Sequence, residues 1–78
     1  MDFPTLQAGQ FAVIHAEAAT GIVLRLDGQR HLGDGEVWRV FESIATARDY
    51  AASEVRVRPT VECAIYDSQH QRVETVRA

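Results

Sequence analysis

An α+β domain of about five short antiparallel strands and one helix, in the order βββαββ, is what this 78-residue sequence predicts. Three observations carry that prediction. Short runs rich in β-branched and aromatic residues alternate with period two. One stretch, SIATARDYAASEV, repeats its apolar residues at spacings of three and four instead. Glycine- and proline-bearing turn signals separate these runs at short intervals. The strands are expected to form a bent sheet, or a small closed barrel.

The first ten residues carry no periodic pattern and read as a loosely held arm of a single domain spanning 1–78. FAVIHAE, Phe11 to Glu17, follows as the first strand, with Phe11, Val13 and His15 on one face and Ala12, Ile14 and Ala16 on the other. AATG turns the chain into IVLRL, Ile22 to Leu26, so these two runs predict a hairpin. The third strand is VWRVF, Val37 to Phe41.

Ser43 suits a helix N-cap because its hydroxyl can accept from an otherwise unpaired first-turn amide. Behind it Ile44, Ala47, Ala51 and Val55 stack on one helical face, flanked by Tyr50, and Pro59 ends the helix. VRVR, Val55 to Arg58, also alternates as a strand would, but Val55 completes the helical face. VECAIYD, Val61 to Asp67, places Val61, Cys63 and Ile65 on one face and Glu62, Ala64 and Tyr66 on the other. SQHQ turns the chain into RVETVR, Arg72 to Arg77, the last strand.

The net charge of −3 is uneven. Residues 1–38 hold Arg25 and Arg30 against Asp2, Glu17, Asp27, Asp34 and Glu36, whereas residues 39–78 hold six bases and six acids. No segment carries the basic footprint of a nucleic-acid or anionic-membrane binder, although folding could gather Arg48, Arg56, Arg58, Arg72 and Arg77 on one side. All eight basic residues are arginine and are scattered, which fits biased codon usage better than a phosphate site. A lone cysteine, Cys63, fits a reducing compartment. No apolar run approaches the roughly 18 to 20 residues of a membrane span, and MDFPTLQAGQ lacks the charged and apolar regions of a signal peptide. The cytoplasm is the expected location, with no membrane partner.

LDGQRHLGDGE, Leu26 to Glu36, looks most like a site, yet it fails each test of one. It lacks the alternate oxygen ligands of a calcium loop, offers His31 without a second metal-ligand spacing, and departs from the GxxxxGK[ST] phosphate cradle. Its two Asp-Gly pairs are turn signals. A tight turn at either pair would set two arginines opposite one another, so a looser excursion between strands two and three is expected. Cys63 reads as a buried small hydrophobe, His15 as half-buried packing, His70 as a solvated turn residue, and Trp38 as core, though Trp38 beside Arg39 and Tyr66 could also stack bases or anchor an interface. No catalytic, cofactor or metal residue is assigned.

The run WRVFESIATARDYAASEV followed by VECAIYD, residues 38–67, resembles a pattern of small uncharacterised bacterial single-domain proteins: a strand, a Ser-capped alanine-rich helix, and an EC-x-IYD strand. That resemblance implies a fold and brings no activity. Five short strands with one helix also resemble Sm-like small barrels at the level of fold. In that family the helix precedes the strands, and the RNA-contacting asparagine and Arg-Gly pair have no counterpart here. The leading functional expectation is a non-enzymatic interaction module that binds another protein or itself. An RNA- or nucleotide-binding small barrel is the alternative, and an enzyme assembled from His15, His31 or Cys63 the remote one.

Overall fold

The computed structural model describes residues 3–78; Met1 and Asp2 of the expected arm lie outside the described residues. Five antiparallel strands and one helix follow in the expected order: β1 (Phe11–Glu17), β2 (Val23–Leu24), β3 (Trp38–Phe41), α1 (Ile44–Val57), β4 (Val61–Tyr66) and β5 (Arg72–Val76). They form one α+β sheet with the helix on one face.

β1 is the hub. It pairs with β4 along one edge from Ala12↔Tyr66 to Glu17↔Val61. Its other edge is divided between β3, which pairs from Phe11↔Phe41 to Ile14↔Trp38, and β2, which pairs at His15↔Leu24 and Ala16↔Val23. β5 adds to the outside of β4. Because β5 does not pair with β2 or β3, the sheet is open, and the closed Sm-like barrel is ruled out.

The second strand is shorter than the predicted Ile22 to Leu26. Beyond Leu24 the backbone enters a turn, with the Gly28 amide donating to Arg25 oxygen at 2.9 Å and Arg25 donating to Gln29 at 2.7 Å, so those groups leave the ladder with β1. Arg25 and Arg30 are not opposed, because Leu24, not Arg25, bridges Arg30. Arg25 instead holds Asp27 at 2.7 Å, while Arg30 reaches Glu17 at 3.0 Å.

Ser43 caps α1 as expected, its hydroxyl accepting from the Thr46 amide at 3.2 Å. The helix runs on through Val57, and Arg58, directly before Pro59, ends it. Ala47, Ala51 and Val55 are buried against Val13, Cys63 and Ile65, forming the core between helix and sheet. The alanines allow α1 close to the sheet, and Phe11, Phe41, Ile44, Tyr50 and Val76 rim that layer.

Candidate functional site

The two faces of the sheet offer different chemistry. On the flank of the helix lies a part-buried polar cluster. His15 projects from β1 toward α1 and is 2% exposed, deeper than the half-buried packing expected of it. Its Nε2 lies 2.9 Å from Tyr50 Oη and 3.2 Å from Glu54 Oε1. Tyr50 and Glu54 are one turn apart on the same flank of α1, and Arg58 donates to the same Glu54 oxygen at 2.6 Å. With hydrogen on Nε2, the imidazole donates into this carboxylate and only its Nδ1 lone pair is left without a partner among the described residues.

Burial outweighs the attraction of Glu54 and holds the His15 pKa below its ordinary value, so the ring is neutral near pH 7. Cys63 is paired in register with His15, but among the described residues no hydrogen bond joins its thiol to the ring. The thiol is fully buried, and burial, reinforced by Glu54, pushes its pKa up to about 11. A thiol needs its thiolate to attack, and burial disfavours that form here. His31 is on the excursion after β2, its amide donating to Val23 oxygen at 2.9 Å, and does not join them. Among the described residues no group of three or more histidine, cysteine or acidic side chains could hold a metal ion.

The helix-free face carries a groove of about 410 Å³, within the range of roughly 300 to 1,000 Å³ of small-molecule sites. Strand register builds it row by row. Ile14 pairs with both Trp38 and Ala64, and Ala64 with Thr75, giving a middle row that crosses four strands. Ala12, Tyr66 and Arg72 form the row at one end; Val23, Ala16 and Glu62 form the row at the other. Small alanines make the floor, while larger side chains rise around it.

Trp38 belongs to this face and is half-buried, which corrects its assignment to the core. The register Ile14↔Trp38 turns it away from the helix. Its ring meets Tyr66 edge-on at 5.5 Å. Phe3, from the predicted loose arm, packs against Trp38 at 4.7 Å and against the His70 ring at 3.9 Å. His70 is exposed in the turn, as expected, with φ 64°. Trp38 Nε1 is buried with no acceptor among the described residues.

Arg72 crosses the Tyr66 ring at 5.6 Å and donates to its hydroxyl at 3.1 and 3.2 Å. At the far end Glu62 accepts from Arg77 at 2.6 Å. The LDGQRHLGDGE stretch is not loose throughout: a turn over Arg25 to Gly28 folds it back so that Leu24 bridges Arg30, and the excursion expected before β3 follows, with the Leu26 amide donating to Glu36 oxygen at 2.8 Å. Gly35 has φ 93° there, and a Cβ on it would collide with the Arg25 side chain. Among the described residues no helix is long and apolar enough to cross a membrane.

No family model, curated protein or solved structure matches this chain. Its two faces differ in chemistry: one buries His15 and Cys63, and the other presents rings, donors and an open floor.

Proposed function

We propose that this chain is a non-enzymatic binding module whose contact surface is the helix-free face of the sheet. The observation that carries the reading is the groove over Ala16 and Ala64, bounded by Trp38, Tyr66 and Phe3. Aromatic rings around a small-residue floor supply contact area at low conformational cost. Supporting it, His15 and Cys63 are both buried beneath α1, and burial keeps the thiol from ionising.

A panel of small aromatic fragments added to ¹⁵N-labelled protein tests the reading. Perturbed resonances should cluster at Trp38, Ala64, Tyr66 and Thr75 and spare Ala47 and Ala51. Perturbations scattered over the surface, or none at all, would reject it.

A second reading lays single-stranded nucleic acid on the same face, because Trp38 and Tyr66 beside Arg72 resemble a stacking platform. It requires affinity that falls steeply with added salt. Self-association is the third contact mode, since β5 and the β2/β3 side are open edges. Light scattering across a concentration series separates it from the first two.

A further inference from the structure

We infer that the groove takes a planar monoanion, an aromatic or conjugated carboxylate that lies over the alanine floor with its charged end at Arg72. The inference rests on the binding-module reading and adds the class of ligand. Its basis is the polarity of the groups left over after the protein has made its own bonds.

Those groups are donors. Among the described residues Arg72 has no carboxylate within ion-pair distance; Arg39 and Arg56 have none either, but Arg39 shares the helix-side face with Val13 and Arg56 is on the outer side of α1, so Arg72 is the unmatched guanidinium of the groove. Tyr66 Oη accepts twice from Arg72, which leaves its own hydrogen to give away. Thr75 adds a hydroxyl from β5, the strand that carries Arg72, while Trp38 Nε1 across the sheet is buried without an acceptor. A guanidinium with a neighbouring phenol hydrogen suits a carboxylate, whose two oxygens accept in one plane.

The opposing charge is already committed and distant. Glu62 is the one carboxylate lining the groove, and Arg77 holds it at 2.6 Å. Four residues of strand separate Glu62 from Tyr66, about 13 Å, more than the roughly 8 Å over which exposed charges act in physiological salt. An anion at Arg72 therefore feels little repulsion from it. A single unmatched arginine also fixes the number of charges: a polyanion needs several cations along its path, and this face supplies one. The stretch between is apolar, with Ala64, Ile14, Ala16 and Trp38, so the body of the ligand is flat and uncharged.

The test uses the full chain and three probes: 2-naphthoate, neutral 2-naphthamide and an oligouridylate. The chain has one tryptophan, so a single indole N–H resonance reports on the groove. Naphthoate should move it saturably with a Kd below roughly 1 mM, and naphthamide should bind about tenfold more weakly. Arg72→Gln should erase that preference by weakening naphthoate about tenfold, while Arg56→Gln, which removes the same charge from the exposed outer side of α1, should preserve it. Equal binding of the two naphthalenes, or an unchanged preference in Arg72→Gln, would overturn the anion assignment and leave the binding face standing. Silence of the indole resonance to both naphthalenes would overturn both. A response to the oligonucleotide alone would give the face to nucleic acid and end the monoanion inference.

Discussion

The His15 imidazole on β1 and the Glu54 carboxylate on α1 stand 3.2 Å apart, the ring buried and the carboxylate half-buried on the flank of the helix. Tyr50 and Arg58 from the helix side, Arg39 from β3 and Cys63 from β4 complete the surroundings. Burial lowers the His15 pKa from its ordinary 6.5, against the pull of Glu54. The unfolded chain therefore takes up this proton more readily than the folded one. Stability is full above the unfolded value and falls as pH drops below it toward the folded one. The thermal midpoint should decline as pH falls below about 6.5, and His15→Gln should flatten that decline. An identical slope in the variant would refute the assignment. A separate loss belongs to Glu54: burial raises its pKa, but Arg58, His15 and Tyr50 together hold the carboxyl below its ordinary 4.5, so its stabilising share disappears only in stronger acid.

Cys63 should behave as a thiol locked in the fold. It is fully buried, with its pKa up at about 11, so the native protein should resist a chromogenic disulfide reagent at neutral pH and react at a rate set by opening of the structure. Immediate stoichiometric labelling without denaturant would contradict the enclosure of the β1–β4 pair.

Ala51 is completely buried where α1 meets the sheet. Ala51→Leu adds three carbons to a filled layer and should cost about 1 to 3 kcal/mol in urea unfolding. Ala52→Leu, one position on and exposed, should change stability by less than about 0.5 kcal/mol. Comparable losses at the two sites would place the packed face of the helix elsewhere.

Phe3 covers Trp38 with its ring at 4.7 Å. Phe3→Ala should shift tryptophan emission to longer wavelength as water reaches the indole, with a loss of about 1 kcal/mol in stability. An unchanged emission maximum would mean that the arm does not shield the groove.

The helix and four of the five strands were legible because each rests on local signals: the Ser43 cap, the spacing of Ala47, Ala51 and Val55, and alternation in β1 and β4. β2 was overread because Arg25 and Leu26 alternate well but spend their backbone groups on the following turn. The polar cluster was hidden for a different reason. Tyr50 and Glu54 are separated from His15 by 35 and 39 residues, and only docking of the helix joins them. The groove also depends on register: the sequence groups Glu62, Ala64 and Tyr66 on one face, but nothing local sets Ala64 beside Ile14 and Trp38 beyond it. The arginines' partners are equally non-local, as Arg77 with Glu62 illustrates.

The position of β1 at the hub has a consequence for how the chain is made. Its hairpin with β2 can close early, yet its long edge waits for β4, with Ala12 and Tyr66 in one register. During synthesis at about 5 to 20 residues per second, the hub strand therefore emerges seconds before its main partner. For that interval Val13 and Ile14 are exposed to any other unpaired strand nearby, so the nascent chain, more than the finished fold, is the form in which this protein is vulnerable to aggregation.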